Sequence, residues 1–354
     1  MKKNFIYFLL LLTVILSSCS TKMDVTGQYK ETMVVYGLLD QSQSKQYIKV
    51  NKAFLGQGNA YTYAQIKDST QYSHSLTVKL QRLDANGNLI LPEKILTPDN
   101  TVPKDPGVFY APDQANAIYS IDSASLGAGF FNTANSYKLI ISNSETGSQV
   151  SAQTSLITSI GAFVSPAPTT AITPVLSFIV ANNDNYRFFI RWNSGKNARM
   201  YQPSIRFNYI DSSSTGNDTL HLDWQFPVQN TQGLAGNEAM EFDFIGQEFL
   251  QFIGNQLNGK PVPSIARRAL KTEIRLTAGG DDLNTYIEVN APSTGIVQDK
   301  PIYTNITNGL GIFSSRFSER PVSRILQAPT LDSLACGRYT KSLGFLNSQG
   351  IRCN

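Results

Sequence analysis

Period-two alternation recurs along this chain, and it decides the fold class. Leu76, Val78 and Leu80 alternate with Thr77, Lys79 and Gln81. Ile205, Phe207 and Tyr209 repeat the pattern, and Leu220, Leu222 and Trp224 share one face with His221 and Asp223 on the other. Successive side chains of a strand point to opposite faces, so this spacing buries one face only in a β-strand. Runs rich in β-branched and aromatic residues at 32–39, 47–50, 137–141, 150–156, 176–180, 186–192, 274–277 and 286–289 read the same way. Turn chemistry punctuates them at 84–88, Pro106-Gly107 and 143–147. Charged residues make up 16% of the chain, which argues against coiled coils and charge-laced helical bundles. The expected class is mainly β.

Length and punctuation suggest two domains. Seven or so short strands over residues 31–156 predict a β-sandwich with Greek-key connections. Residues 157–174 carry Pro166, Pro168 and Pro174 among small polar residues and read as a semi-rigid Pro/Ser/Thr linker. Residues 175–354 then form a second β-rich domain with one or two short helices. Phe249, Phe252, Ile253 and Leu257 lie on one helical face, with Gly259 placed to end it. A second helical piece is expected over 264–270, and Gly279-Gly280-Asp281-Asp282 reads as a hairpin turn.

The first residues carry an address. Lys2 and Lys3 precede an apolar run over 5–16, too short for a comfortable membrane span but suited to a signal peptide over 1–18. Leu16-Ser17-Ser18-Cys19 resembles the lipobox of bacterial lipoproteins. That resemblance implies lipidation of the Cys19 thiol, cleavage before it, and membrane attachment through N-terminal acyl chains. Residues 19–30 read as a tether. The expected location is the outer membrane, with the face left open.

Cys336 and Cys353 remain, both near the end of the chain. In an oxidising compartment such a pair reads as a disulfide, closing a loop of about 18 residues and contributing about 3 kcal/mol. Two free thiols or half of a metal site are the alternatives, but no further His or Cys stands nearby. The net charge of +4 comes from 30 basic and 26 acidic side chains, with no basic patch beyond Arg267-Arg268, so nucleic acid is not an expected partner.

The catalytic motifs are missing. There is no His-Glu-x-x-His, no Gly-x-Ser-x-Gly and no P-loop. The two histidines, His74 and His221, read as strand residues at a surface or edge. Trp192 and Trp224 could form a sugar-stacking platform, but at strand spacing they fit a core. No catalytic residue, metal ligand or cofactor is assigned, and the chain is read as non-enzymatic.

Three stretches carry a wider resemblance. They are 33–39 with 47–56, then 186–192 running on to 198–209, and then Pro301-Ile302-Tyr303-Thr304-Asn305-Ile306-Thr307-Asn308-Gly309-Leu310-Gly311-Ile312-Phe313. In this order they resemble a family of uncharacterised Bacteroidota-type outer-membrane lipoproteins, a domain of unknown function. The resemblance implies an immunoglobulin-like N-terminal sandwich and a β-rich C-terminal domain. It brings no activity, but it implies proximity to TonB-dependent transporters. Tyr303, Asn305, Asn308 and Gly309 are the candidate ligand or partner loop, with a purely structural turn as the alternative.

The expected function is therefore a lipid-anchored binding or accessory module for a peptide, glycan or partner protein. A structural subunit of an envelope complex with a TonB-dependent transporter is the alternative. A hydrolase with a cryptic carboxylate pair is a third reading. Cys19→Ala should abolish incorporation of radiolabelled fatty acid into the chain and shift it out of the detergent phase on cloud-point partition. Undiminished labelling of that variant would remove the anchor from this reading.

Overall fold

The computed structural model describes residues 30–54, 59–74, 76–104, 116–167, 174–181, 183, 185–292 and 301–353. The signal peptide, Cys19 and the turn at Pro106-Gly107 lie outside these residues. The protein is mainly β, as the alternation predicts.

The first half contributes seven strands: β1 (Met33–Leu39), β2 (Lys45–Lys52), β3 (Thr77–Leu83), β4 (Lys94–Pro98), β5 (Ile118–Asp122), β6 (Ser136–Ser142) and β7 (Gln149–Ser155). They pair in the order β1-β2-β5-β4-β3-β6-β7. Val35, Ile48 and Val50 from one end of this path meet Val78, Leu80, Leu139, Ile141 and Val150 from the other in a single apolar cluster. That arrangement is consistent with a sandwich. Burying each such side chain stabilises the fold by about 1.5–3 kcal/mol. The turn at 84–88 forms because the Asp84 carboxylate accepts the N–H groups of Asn86 and Asn88, both at 2.8 Å.

The second half builds a separate cluster. Its strands are β8 (Val175–Leu176), β9 (Arg187–Asn193), β10 (Met200–Ser213), β11 (Gly216–Gln225), β12 (Gln229–Asn230), β13 (Ala239–Ile245), β14 (Ala266–Gly279), β15 (Leu310–Ser318) and β16 (Val322–Leu326). The helices are α1 (Gly246–Leu257), α2 (Asp281–Asn290) and α3 (Ala328–Cys336). β10 runs antiparallel to both β11 and β14, and β9 pairs with β13 in a small second sheet. Between them lie Trp192, Ile205, Phe207, Phe249, Ile253, Leu257, Ile274 and Leu276. α1 is the helix that the Phe249/Ile253/Leu257 spacing predicts, and Gly259, at φ +74°, follows its end. Cys336 and Cys353 are joined as a disulfide, with Cα atoms 5.2 Å apart.

Two local expectations are corrected. Residues 264–270 are not helical, because from Ala266 they belong to β14. Arg267 is drawn inward there by the Asp211 carboxylate, at 2.8 and 3.1 Å, and is only 2% exposed, so it is no part of a basic surface. Residues 279–282 are not a hairpin turn, and 286–289 are not a strand. Gly280 is the N-cap of α2, and Asp281 and Asp282 sit in its first turn, where the helix dipole favours acid groups. Asn284 donates to Glu288 one turn on, at 2.8 Å, and Tyr286 packs edge-on against Tyr36.

The cores change over between adjacent residues, since Leu156 belongs to the first cluster and Ile157 to the second. Residues 157–167 are packed rather than free-running. Ile157 and Phe163 are buried in the second cluster, and Ser165 exchanges backbone hydrogen bonds with Arg191 at 3.0 and 2.8 Å.

One strand breaks the division by sequence. β15 lies antiparallel to β14 but parallel to β1, pairing Val35 with Gly311 and Gly37 with Phe313. Phe313 and Ile306 are buried in the first cluster, although they come from the far end of the chain. Gly311 has φ +102°, and a Cβ there would lie 2.0 Å from the Val35 carbonyl oxygen, so only glycine lets the two backbones approach. The first core is completed by the second half. Phe313→Ala should destabilise the protein by about 3–5 kcal/mol. Both tryptophans, Trp192 and Trp224, belong to the second half. If the shared strand couples the cores, the tryptophan fluorescence transition in urea should shift to lower concentration in this variant. An unshifted transition would mean that the cores unfold independently.

Candidate functional site

A broad concavity lies where the two halves meet. It measures about 610 Å³ and is walled by the β1–β2 turn, by residues 159–163, by 275–277 of β14 and by 317–321 at the end of β15. Its apolar lining is Ile160, Phe163, Leu276, Phe317 and Pro321. Its polar lining includes Gln43, Ser159, Arg275, Glu319 and Arg320. Pockets of this size with a few convergent polar groups are usual for ligand sites.

Glu319 is 7% exposed. Its carboxylate accepts the Ile160 N–H at 2.7 Å and the Ser159 hydroxyl at 2.8 Å, and its own N–H donates to the Leu276 carbonyl at 2.9 Å. Burial pushes this carboxyl above its ordinary value, with the two accepted hydrogen bonds opposing the rise. Arg275 is committed to Glu273, with contacts at 2.9 and 2.6 Å. Arg320 is exposed at the rim and makes no ion pair among the described residues. Behind the β1–β2 turn, the buried Asp40 carboxylate accepts from the Ser42 N–H at 3.0 Å and from Arg316 Nε at 3.2 Å, which ties β1 to β15 a second time.

A smaller cleft of about 440 Å³ opens between β7, the start of α2 and the Ser314-Ser315 stretch of β15. Asp281 accepts from Arg199 Nε at 2.7 Å, and Asp282 accepts from the Tyr303 hydroxyl at 2.5 Å. Burial, reinforced by that bond, pushes the Tyr303 hydroxyl up from its ordinary value. The Ser314 hydroxyl is buried and has no hydrogen-bond partner among the described residues.

The candidate loop is committed mainly to internal contacts. The Asn305 amide clasps the Phe313 backbone, accepting its N–H at 2.9 Å and donating to its carbonyl at 2.7 Å. Asn308 takes a left-handed conformation at φ 63°. A Cβ on Gly309 would lie 2.9 Å from the Met33 carbonyl oxygen and 3.0 Å from Val150. Thr307 exchanges backbone bonds with Ser151 at 3.3 and 2.8 Å. Asn305, Asn308 and Gly309 thus seat β15 in the first core, and Tyr303 alone of the four reaches toward a cleft.

The other singled-out residues fall elsewhere. His74 Nε2 lies 2.8 Å from Asn143 Oδ1, and its Nδ1 lies 2.9 Å from the Glu145 carboxylate. His221 is exposed on β11. Trp192 is buried, whereas Trp224 is half-buried and stacks on Phe252 at 5.2 Å. Among the described residues no three His, Cys, Asp or Glu side chains gather as a metal site, and no helix is long and apolar enough to cross a membrane. Glu319, Ser159, Arg275 and Arg320 were not singled out from the sequence, since segments far apart in the chain supply them and no spacing rule joins them. The chain matches no protein-family model and no curated protein.

The Glu319 carboxyl holds its proton to higher pH in the folded than in the unfolded chain. Its stabilising contribution is complete below the ordinary value of 4.5 and is lost as pH rises through the folded-state value. Urea midpoints measured across that rise should fall in the wild type relative to Glu319→Gln. Parallel curves for the two proteins would show that Glu319 is not held this way.

Proposed function

We propose that this protein is a non-enzymatic binding or accessory module held at the outer membrane by acyl chains on Cys19. In this reading it belongs with the Bacteroidota-type lipoproteins that its motifs resemble, and its first half is immunoglobulin-like. The observation that carries the reading is the 610 Å³ pocket at the junction, where polar groups from both halves converge around an apolar lining. A ligand seated there would touch the β1–β2 turn and the β14–β15 end together. Gln43 and Arg320 offer donors, and Glu319 offers an acceptor, which suits a polar peptide or glycan segment. The described lining holds one carboxylate, Glu319, where glycoside hydrolysis commonly uses two.

Peptide and glycan arrays probed with the detergent-solubilised chain test the reading, followed by calorimetry on the best binder. Arg320→Ala should weaken that binder about tenfold, the scale of one hydrogen bond to a charged group. Empty arrays, together with co-purification of a β-barrel transporter in stoichiometric amount, would replace ligand binding by a structural role in an envelope complex.

A further inference from the structure

We infer that the protein pairs with a second copy of itself through the free edge of β11, extending the large sheet across a twofold axis. β11 ends the sheet path and pairs only with β10 among the described residues. At the opposite end, β7 has its outer side engaged by the reciprocal Ser151–Thr307 bonds. Among the described residues β11 has no such cover. It is ten residues long and contains neither proline nor lysine, two of the devices that blunt a sheet edge, and of its two carboxylates Asp223 is neutralised by Arg206.

The phase of the hairpin fixes which backbone groups are free. A two-residue turn, Ser214-Thr215, joins Ser213 to Gly216, and such a turn makes its flanking residues a hydrogen-bonded pair. At the other end, the Phe226 N–H donates to the Pro203 carbonyl at 3.1 Å, in the same phase. Even-numbered residues of β11 therefore bond to β10. The N–H and C=O groups of Asn217, Thr219, His221, Asp223 and Gln225 point away from the sheet. An antiparallel second strand is the complement of that row.

The side chains select one register. With the twofold axis at Leu222, Leu222 meets its own copy and Leu220 meets Trp224 on the apolar face. On the other face His221 meets Asp223 and Thr219 meets Gln225. Neighbouring registers fail. An axis at His221 sets His221 against itself, and one at Asp223 sets carboxylate against carboxylate. An axis at Leu220 sets Trp224 against Gly216 and His221 against Thr219, so both the apolar and the charged contact are lost. The Asp223 carboxylate is already oriented by the Arg206 guanidinium, with two contacts at 2.6 Å, and lies 3.7 Å from its own His221. Leu220, now 40% exposed, would be covered by the half-buried Trp224 ring of the second copy.

Light scattering on the purified chain in detergent should give twice the monomer protein mass. His221→Pro removes a donor that faces away from β10, so it should leave the β10–β11 ladder and the melting temperature in place while producing monomers. A mixture of His221→Cys and Asp223→Cys chains should give a disulfide-linked dimer on mild oxidation, and neither variant alone should do so. This pairing remains readable even if the proline variant fails to fold. A monomeric wild type, a folded His221→Pro dimer, or cross-linking of either cysteine variant with itself would each overturn the proposal.

Discussion

The parallel pairing of β15 with β1 holds both cores in one continuous sheet. Parallel neighbours need a crossover connection, and here the crossover contains most of the protein. The pairing is over-determined at its start. Asn305 clasps the backbone of Phe313, Gly311 adopts a left-handed conformation to admit the Val35 carbonyl, and Thr307 closes onto Ser151. Each device serves to deliver Phe313 and Ile306 into an apolar cluster otherwise made by residues 33–156. The two concavities described above flank this same strand.

The seam between the halves is polar, which makes it demanding. A buried charge is tolerable only when it is fully partnered. Asp40 meets that condition through Ser42 and Arg316, and the Gln46 amide completes the corner by bonding both the N–H and the carbonyl of Asp40, at 2.9 and 2.8 Å. Arg267 meets it deeper in the second half through Asp211 and the Leu343 and Pro261 carbonyls. Glu319 meets it incompletely. It has two donors but no facing cation among the described residues, so burial wins and its proton is retained to higher pH.

Local patterns were legible in the sequence because local physics produces them. The strands around 76–80, 205–209 and 220–224 and the helix through Phe249 and Leu257 formed as their periodicity predicts. β4 and β5 carry no period-two signal, because neither alternates. Leu96 is the single buried residue of β4, whereas Ile118, Tyr119 and Ser120 are buried in succession in β5. α2 carries the sequence signature of a strand, because Tyr286, Ile287 and Val289 are good strand formers and Gly-Gly-Asp-Asp serves equally as a turn or a helix start. Its packing on β15 decided between them. Residues 301–313 stood out as a motif, but their place in the other half's core depends on a partner far away in the chain. The junction pocket was illegible for the same reason.

Synthesis runs from β1 toward β15, and the order has a cost in time. Asp40 and Arg316, which meet across the finished seam, are 276 residues apart. At roughly 5–20 residues per second, β1 waits on the order of 14 to 55 seconds for its neighbour to be made. Throughout that interval the first half lacks Phe313 and presents an open strand edge. Of the two neighbouring strands, the one made first is therefore the one that waits, and its open edge is what a nascent-chain chaperone would have to shield.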